Sequence, residues 1–478
     1  MMRKKLFIGG QWVEGKTYAP LYSPYSGEQI AEVPVASQEE TDQAISAAYE
    51  ARSAMRAMPA HQRAQILQKV SALFKERMEE AAKLVALEAA KPIRTARTEI
   101  TRTIQTYQFA AEEAKRIGGE VLPLDAAVGG EGRLAYTKRE PLGVIGAITP
   151  FNFPMNLVAH KVGPAIATGN TVVLKPASQT PLSAFFLAEL FEEAGLPKGA
   201  LNVVTGGGRT VGQQLVQDPR LGMITFTGSP EVGIGIKNQA GLKRVTLELG
   251  SNSAAIVDHT VRDHLDWIVD RCVMGAFTYQ GQVCISLQRI YVHDKLYDAF
   301  VTQFVEKTKE LVWGDPLSEE TDISALITPQ DVERALQWIE EAVEGGAEIA
   351  CGGEREGNIL KPTVLLNVDP TLKVSCREVF APIVLINRIQ TVEEGLALVN
   401  DSRYGLQAGL FTANLMLALD GADKLEVGGV MINDIPTFRV DHMPYGGVKE
   451  SGFGREGIQY AVEEMTELKL VVVNRSMG

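Results

Sequence analysis

The chain has 478 residues, of which 45% are hydrophobic and 22% are charged, a composition typical of globular proteins rather than of disordered chains. This length exceeds that of one ordinary domain and predicts two or three domains with a sizeable core. The formal net charge of −12 argues against a general nucleic-acid binder and against a protein of the membrane surface.

The predicted elements change in character along the chain. The first third is rich in helical patterns, and SQEE at 37–40 predicts a capping box at the start of a helix. From Glu140 onward, short β-rich runs alternate with helical stretches, which predicts right-handed βαβ units, a mainly parallel sheet and the α/β fold class. The predicted strands are 143–148, 170–175, 201–204, 223–226 and 254–257, followed by 289–293 and 382–387 in a second such region.

The last strand-like run, LKLVVVN at 468–474, follows a helical segment and stands alone near the end of the sequence. An unpaired apolar strand would be an exposed edge, so we interpret it as a strand added to the sheet of another subunit, which predicts a homo-oligomer. The alternative is a strand that completes a sheet of its own chain.

The cysteine and histidine content predicts no metal site. The four cysteines form no CxxC pair and the six histidines are scattered, which also favours a reducing, cytoplasmic setting. The N-terminal MMRKKLFIGGQW has the basic residues of a signal peptide but no apolar run after them. No segment approaches the ~20 apolar residues that a membrane-spanning helix needs.

Two motifs after predicted strands have the residue types of a nucleotide site. FTGSPEVG (226–233) contains Gly228 and Ser229, and its turn before a helix would offer backbone N–H groups to a pyrophosphate. LKPASQTP (174–181) places Lys175 at a strand end ahead of Ser178, which suits contacts with a ribose or a phosphate. In isolation, a plain turn and a surface loop explain these two motifs better.

Three further residues have side chains suited to catalysis. Asn152, in ITPFNFP, could direct its amide at a developing oxyanion, although an asparagine between prolines is commonly a turn residue. Glu248, in TLELG, either faces solvent or lies buried in an apolar strand, where its pKa would rise toward that of a general base. Cys284, in YQGQVCISLQR, is either a nucleophile or a small buried thiol.

The order of these motifs, followed by EVFAP at 378–382, resembles that of the aldehyde dehydrogenase superfamily. The resemblance extends from FIGGQWVEG (7–15) to MPYGGVKESGFGREG (443–457). It implies the α/β aldehyde dehydrogenase fold, with a Rossmann-like cofactor domain, an α/β catalytic domain and a small β oligomerisation element, in a homodimer or homotetramer. The implied ranges are 1–120 and 140–246 for NAD(P) binding, 247–450 for catalysis, and 121–139 and 460–478 for oligomerisation.

The resemblance also implies a mechanism. Cys284 would attack an aldehyde to form a thiohemiacetal, which becomes a thioester on hydride transfer to NAD(P) and is then hydrolysed to the carboxylate. Asn152 and the backbone N–H of Cys284 would form the oxyanion hole. Glu248 would activate the water, and Lys161 would help to hold this network.

By the same resemblance, Lys175 and Ser178 would contact the adenosine ribose of the cofactor. Members that prefer NAD commonly have a glutamate at the position of Ser178, where a carboxylate repels a 2′-phosphate. A serine beside Lys175 therefore predicts that NADP is accepted as well as NAD, and makes NADP a candidate for the preferred cofactor. The other implied cofactor contacts are Gly208, Gly228, Ser229, Glu378 and Phe380.

The substrate is predicted from two arginines. Arg102 and Arg439 resemble arginines that hold the anionic tails of aldehydes in relatives, a role that suits the fixed fork of guanidinium donors. Val283 stands where several of those relatives have an arginine. The alternative for each arginine is a surface ion pair.

The stretches REPLGVIGAITPFNFP and GQVCIS resemble lactaldehyde dehydrogenases and non-phosphorylating glyceraldehyde-3-phosphate dehydrogenases. They predict a small hydroxylated or anionic aldehyde, such as lactaldehyde, glyceraldehyde 3-phosphate, sulfolactaldehyde or succinic semialdehyde. A CoA-acylating aldehyde dehydrogenase is an alternative, although it needs no water-activating Glu248. A catalytically silent binding protein on the same scaffold and a cysteine hydrolase are further alternatives.

Overall fold

The computed structural model describes residues 2–475, and strands and helices alternate over most of this range. The strands are β1 (Met2–Arg3), β2 (Leu6–Ile8), β3 (Gln11–Val13), β4 (Tyr18–Tyr22), β5 (Gln29–Pro34), β6 (Val121–Leu122), β7 (Arg133–Pro141), β8 (Val144–Ile148), β9 (Thr171–Lys175), β10 (Leu201–Val203), β11 (Met223–Thr227), β12 (Arg244–Glu248), β13 (Ala254–Val257), β14 (Arg289–His293), β15 (Glu348–Cys351), β16 (Arg355–Glu356), β17 (Ile359–Leu360), β18 (Thr363–Leu366), β19 (Ile383–Ile389), β20 (Tyr404–Gly405), β21 (Gln407–Phe411), β22 (Gly429–Ile432), β23 (Val448–Lys449), β24 (Gly452–Phe453) and β25 (Thr466–Asn474). The α-helices are α1 (Gln38–Ala57), α2 (Ala60–Glu76), α3 (Met78–Ala89), α4 (Ile93–Glu113), α5 (Asn156–Thr168), α6 (Pro181–Glu193), α7 (Gln213–Gln217), α8 (Pro230–Gln239), α9 (Leu265–Phe277), α10 (Asp294–Lys309), α11 (Pro329–Glu344), α12 (Lys373–Cys376), α13 (Val392–Asn400), α14 (Leu415–Lys424) and α15 (Ile458–Glu464).

The larger of the two main sheets confirms the predicted parallel arrangement. Its strand order is β24-β12-β11-β8-β9-β10-β2-β3, and the five strands from β12 to β10 run parallel to one another. Strands β8, β9 and β11 are buried along their whole length. Strands that are buried on both faces have continuous apolar sequences, and for this reason the sequence pattern located them.

The second main sheet follows the order β15-β18-β19-β14-β13-β21-β22 and is parallel except for β15 at its edge. Its strand β14 has the bounds predicted from the sequence, 289–293, and it follows the loop that carries Cys284. Residues 249–253 connect β12 of the larger sheet to β13 of the second sheet.

The start of α1 shows why the sequence places a helix there. The Ser37 hydroxyl accepts a hydrogen bond from the backbone N–H of Glu40 at 3.2 Å. The Glu40 carboxylate accepts one from the backbone N–H of Ser37 at 2.7 Å. This reciprocal pair satisfies two N–H groups that a helix start leaves free, so the predicted capping box is confirmed.

A third sheet joins β25, β7 and β6 and corrects one expectation. Strand β25 pairs antiparallel with β7 of its own chain, in a continuous register from Thr466 opposite Pro141 to Asn474 opposite Arg133. The interpretation of the terminal run as a strand added to another subunit's sheet is therefore wrong for this pairing, and the own-chain alternative is correct. The nine paired positions give the backbone N–H and C=O groups on this edge of β7 a partner strand from the same chain.

No helix within residues 2–475 is long and apolar enough to cross a membrane.

Candidate active site

A cavity of about 1420 Å³ opens where the parallel strands of the larger sheet end. The residues that end β8, β11 and β12 line it, as expected for a site at the carboxyl ends of parallel strands. The lining includes nine of the residues predicted from the sequence: Asn152, Lys175, Gly208, Gly228, Ser229, Glu248, Cys284, Glu378 and Phe380.

Four predicted residues are not part of this lining. Ser178 is exposed between Ala177 and Gln179, which do line the cavity, so it lies at the rim. Lys161, Arg102 and Arg439 do not line the cavity, and each forms an ion pair that is described below.

Cys284 is half-buried on a loop that is anchored at its start. Tyr279 and Gln280 have φ angles of 49° and 53°, a left-handed conformation that non-glycine residues adopt only when their surroundings hold it. The Tyr279 hydroxyl donates to the Ala89 carbonyl at 2.9 Å, and the Gln280 amide donates to the Ala90 carbonyl at 3.0 Å. The thiol position is thus set by the turn after α3.

The Cys284 sulfur lies 2.8 Å from the Tyr445 hydroxyl. Burial raises the pKa of the Cys284 thiol to about 11, and the hydrogen bond with Tyr445 and the positive charge of Arg439 both oppose this rise. Neither Tyr445 nor its contact was identified from the sequence.

Asn152 is held beside the cysteine loop. Its side-chain amide donates to the Gln282 carbonyl at 2.9 Å, and its side-chain oxygen is buried without a hydrogen-bond partner among the described residues. One N–H of an amide that makes this bond is left to donate into the cavity. This geometry suits an oxyanion donor next to the sulfur.

Lys91 fixes the backbone at Asn152 and was not found from the sequence. Its ammonium group donates to the Asn152 carbonyl at 2.6 Å and forms a fully buried ion pair with Glu99. Glu99 in turn accepts from the backbone N–H of Met155 at 2.9 Å. Lys91 comes directly after Ala89 and Ala90 in the sequence, whose carbonyl groups anchor the cysteine loop. The turn at residues 89–91 therefore contacts both the loop of Asn152 and the loop of Cys284.

Glu248 ends β12 with a carboxyl group that is 3% exposed. Neither carboxyl oxygen has a hydrogen-bond partner among the described residues. Burial, reinforced by the negative charge of Glu456, raises the pKa of the Glu248 carboxyl well above its usual range. A buried carboxyl group that faces a cavity without partners is a strong base once ionised.

Lys161 lies in α5 and forms no hydrogen bond with Asn152 or Glu248 in the described part of the chain. Its ammonium group donates to Glu456 at 2.7 Å and to the Thr225 hydroxyl at 3.2 Å. Glu456 also accepts from Arg439 at 3.2 Å. Lys161 therefore supports the site through Glu456, a residue that the sequence analysis did not identify.

Both predicted substrate arginines have carboxylate partners. The Arg439 side chain is 5% exposed, and its Nε is buried without a partner among residues 2–475. Arg102 donates twice to Asp441, at 3.1 and 2.8 Å, in the two-pronged geometry typical of guanidinium–carboxylate pairs. Neither pair is a surface ion pair, because Glu456 and Asp441 are buried.

Asp441 is a shared acceptor in this region. It also accepts from the Asn156 amide and contacts His160 Nε2, each at 2.9 Å. Although burial opposes the shift, the hydrogen bond and charge of His160 and the pair with Arg102 lower the pKa of Asp441 well below its usual range. An ionised Asp441 keeps the Arg102 guanidinium oriented.

At the opposite end of the cavity, two cations lack carboxylate partners within the described part of the chain. Lys175 ends β9, its ammonium group contacts the Pro176 carbonyl at 3.2 Å, and burial lowers its pKa to about 8. Arg209, which the sequence analysis did not identify, is exposed beside Gly208 and lines the cavity. An anionic ligand would compensate both charges.

Between these ends, a turn approaches the cavity closely. A Cβ atom at Gly228 would lie 2.4 Å from the Phe226 ring, so a larger residue there would displace this buried ring. Ser229 is the N-cap of α8 and accepts a hydrogen bond from the backbone N–H of Val232, and both residues line the cavity. These features fit a dinucleotide phosphate at the helix start.

Glu378 and Phe380 lie near the cysteine end. The Glu378 carboxylate accepts from the backbone N–H of Ser251 at 2.9 Å, and burial raises its pKa to about 7. Phe380 has a φ angle of 51° and packs edge-to-face on Phe151, with 5.8 Å between ring centroids.

Within residues 2–475 no group of three or more metal-binding side chains is present.

Comparison with known proteins agrees with this geometry. A profile described as the aldehyde dehydrogenase family matches residues 12–471. The chain is 48% identical over 469 residues to 3-sulfolactaldehyde dehydrogenase of Priestia aryabhattai, covering 98% of each chain. It is 41% identical over 475 residues to lactaldehyde dehydrogenase of Methanocaldococcus jannaschii, covering 98% of this chain and 100% of that one.

Two solved structures are similar over almost the whole chain. Aldehyde dehydrogenase 21 of Physcomitrella patens, in complex with the reaction product succinate, has a TM-score of 0.97 and 41% identity, covering 99% of this chain and 98% of that one. Glyceraldehyde-3-phosphate dehydrogenase GapN of Methanocaldococcus jannaschii, complexed with NADP, has a TM-score of 0.92 and 41% identity, covering 96% and 100%. The predicted α/β fold and family resemblance are confirmed, and the chain belongs to the aldehyde dehydrogenase family.

Proposed function

We propose that this protein is a non-phosphorylating, NAD(P)-dependent aldehyde dehydrogenase that oxidises a small hydroxylated or anionic aldehyde to its carboxylate. One observation carries this proposal: a thiol, an amide donor and an unpartnered carboxyl group, from Cys284, Asn152 and Glu248, line one cavity. Two features support a bound dinucleotide: the cations at the other end, which lack carboxylate partners within residues 2–475, and the glycine turn between the two ends.

In the proposed reaction, the Cys284 sulfur attacks the aldehyde carbon, and the carbonyl oxygen becomes an oxyanion that accepts a hydrogen bond from Asn152. NAD(P)⁺, held beside Lys175, Gly228 and Ser229, would supply the hydride acceptor, and the adduct on Cys284 would then become a thioester. Ionised Glu248 then takes a proton from a water that attacks this thioester. The C–S bond breaks, which releases the carboxylic acid and restores the sulfur.

We propose an anionic tail for the substrate, held near Arg439 and Arg102. The unpartnered Nε of Arg439 supports this, since a buried donor without an acceptor is costly unless a ligand supplies one. The relatives named for 3-sulfolactaldehyde and lactaldehyde oxidation support a three-carbon hydroxyaldehyde.

The test compares 3-sulfolactaldehyde, glyceraldehyde 3-phosphate and succinic semialdehyde with lactaldehyde, by absorbance of the reduced nicotinamide. We expect kcat/KM for the anionic aldehydes to exceed that for lactaldehyde by about tenfold or more, the scale of a charge-assisted hydrogen bond. Arg102→Lys, which keeps the charge beside Asp441 but loses the fork, should reduce this preference selectively. A wild-type enzyme that prefers lactaldehyde would refute the anionic-tail proposal.

For the cofactor, we propose that NADP is accepted because Lys175 and Arg209 face the cavity and Ser178 carries no negative charge. Ser178→Glu is expected to lower kcat/KM for NADP by about tenfold or more while kcat/KM for NAD changes little, since the carboxylate would repel only a 2′-phosphate. Arg209→Gln is the companion variant and should also affect NADP alone. A wild-type preference for NAD above about tenfold would contradict the serine argument.

We also propose the three-part division of the chain into residues 1–120 with 140–246, 247–450, and 121–139 with 460–478. The larger sheet, the second main sheet and the β25-β7-β6 sheet fall mostly into these three parts, which supports this division.

Exposed apolar side chains on β25, at Leu468 and Leu470, support a homodimer or homotetramer. Residues 1 and 476–478 lie outside the described range, and the cytoplasmic location stays a prediction.

A further inference from the structure

The hydroxyl group of Tyr445 has one hydrogen-bond contact within residues 2–475, and it is the Cys284 sulfur, 2.8 Å away. Tyr445 is 2% exposed, so its side chain is almost completely shielded from solvent. A phenylalanine would fill the same space without a polar atom to satisfy. A buried hydroxyl that serves no structural partner other than the candidate nucleophile suggests a role in its chemistry.

The surroundings hold the tyrosine ring firmly in place. Its backbone N–H donates to the Glu456 carbonyl at 2.9 Å, and its carbonyl accepts from the Glu456 N–H at 2.6 Å. The Arg439 guanidinium lies 3.6 Å from the ring centroid, and Arg439 is itself bound to the Glu456 carboxylate. These contacts fix the backbone of Tyr445 and cover one face of its ring, and the hydroxyl of this ring contacts the sulfur.

We propose that Tyr445 is a catalytic residue whose hydroxyl donates a hydrogen bond to the Cys284 sulfur and stabilises it as a thiolate. The inference rests on the proposed role of Cys284 as the nucleophile. The thiol proton leaves to solvent through the cavity, and the hydrogen bond to a negatively charged sulfur is stronger than that to a thiol. When the thioester is cleaved, the electron pair of the C–S bond returns to sulfur, and the same hydroxyl stabilises the departing thiolate.

The charged groups around the sulfur act in opposite directions. Arg439 favours the thiolate, whereas Glu378 and Glu248 disfavour it when they are ionised. Burial is the largest influence and raises the pKa of Cys284 to about 11. Unlike these three charged groups, Tyr445 forms a hydrogen bond with the sulfur. Removal of its hydroxyl should therefore raise the pKa of Cys284 further.

The test measures the pH dependence of Cys284 alkylation by iodoacetamide, followed by mass spectrometry of its peptide, with neither aldehyde nor cofactor present. Tyr445→Phe is expected to raise the pKa of Cys284 by about one unit, the scale of a hydrogen bond to a charged group. The first-turnover burst of reduced nicotinamide at pH 7 should slow by about tenfold for the same reason.

Tyr107→Phe is the matched control, because the Tyr107 hydroxyl is buried without a hydrogen-bond partner in the described chain and lies in the core rather than at the cavity. It should leave both the pKa and the burst unchanged. Replacing Tyr445 by 3-fluorotyrosine, whose phenol is a stronger donor, should lower the pKa of Cys284 and keeps the test informative if Tyr445→Phe is unstable.

An unchanged Cys284 pKa in both Tyr445 variants would overturn the proposal. The result is separable from a failure of the proposed function, because alkylation reports the thiol itself. If Cys284→Ala still turned over, the nucleophile assignment would fail whatever the pKa of the thiol. If Cys284→Ala were inactive and Tyr445→Phe were unchanged, the role of Tyr445 alone would be refuted.

Discussion

Replacement of Cys284 by alanine is expected to abolish aldehyde oxidation, with kcat reduced by about 10⁴-fold or more, the scale seen when a covalent nucleophile is removed. The sulfur faces the same cavity as the Asn152 amide and the Glu248 carboxyl, and within that lining the other thiol is Cys376. Cys376 is the last residue of α12, and its thiol donates a hydrogen bond to the Thr371 carbonyl at 3.3 Å. Its thiol is engaged with a backbone carbonyl, so we expect that it does not replace Cys284.

The measurement is the steady-state and first-turnover formation of reduced nicotinamide with the best aldehyde of the panel. Cys351→Ser is the matched control, since Cys351 is half-buried on β15 and does not line the cavity. It should retain wild-type kcat and KM. Retention of turnover by Cys284→Ala would remove the covalent mechanism, whereas inactivity of the wild-type enzyme with every aldehyde would favour the silent binding protein.

Replacement of Glu248 by glutamine is expected to separate the two halves of the reaction. Hydride transfer needs the sulfur and the oxyanion donor, so a burst of reduced nicotinamide near one equivalent per site should persist. Thioester hydrolysis needs the base, so the steady-state rate should fall by about 10²–10⁴-fold. The unpartnered carboxyl oxygens leave the glutamine no hydrogen bond to lose, so the fold should tolerate it.

The pH dependence of the steady-state rate is an independent test of the role of Glu248. Hydrolysis requires ionised Glu248, and its pKa is raised by burial, so steady-state activity should fall as the pH drops through this raised pKa, above the ordinary carboxyl range. Glu248→Gln should lack this acidic limb. An unchanged acidic limb in the variant would assign it to another group.

Glu88→Gln is the matched control for a buried carboxyl group, because Glu88 accepts from the N–H groups of Leu182 and Ser183 at the start of α6, at 2.8 and 3.0 Å. Glutamine offers one acceptor oxygen where the carboxylate offers two, so this variant should lose some stability, but its activity should be unchanged because Glu88 does not line the cavity. If Glu248→Gln kept full turnover and added CoA accelerated product release, the enzyme would be CoA-acylating rather than hydrolytic.

Much of the fold was accessible from local patterns. The strands of the larger sheet are short apolar runs because helices and neighbouring layers bury both faces, and α1 begins at Ser37 because a serine and a glutamate three residues later satisfy its first N–H groups. The candidate reacting groups could also be singled out one by one, since a glutamate in an apolar strand and a glycine–serine turn after a strand are visible in sequence.

The contacts that organise the site were not accessible in this way. Tyr445 reaches Cys284 across 161 residues, Lys91 reaches Asn152 across 61, and Arg102 reaches Asp441 across 339. No periodicity or spacing connects positions so far apart. Arg209 gave no signal either, because an arginine in a glycine-rich turn is ordinary until the fold brings it to the cavity that Lys175 also lines.

The amino-acid sequence by itself determined which segments became buried parallel strands, where helix α1 starts, and which side chains could take part in an aldehyde oxidation. These properties depend on neighbouring residues, so a local pattern contains them. The tertiary structure alone decided that β25 pairs with β7 of the same chain, since backbone hydrogen bonds do not identify their partner strand. It also decided that the Glu248 carboxyl lacks hydrogen-bond partners among residues 2–475 and that Tyr445 touches the sulfur, because burial and long-range contact exist only after the chain has packed.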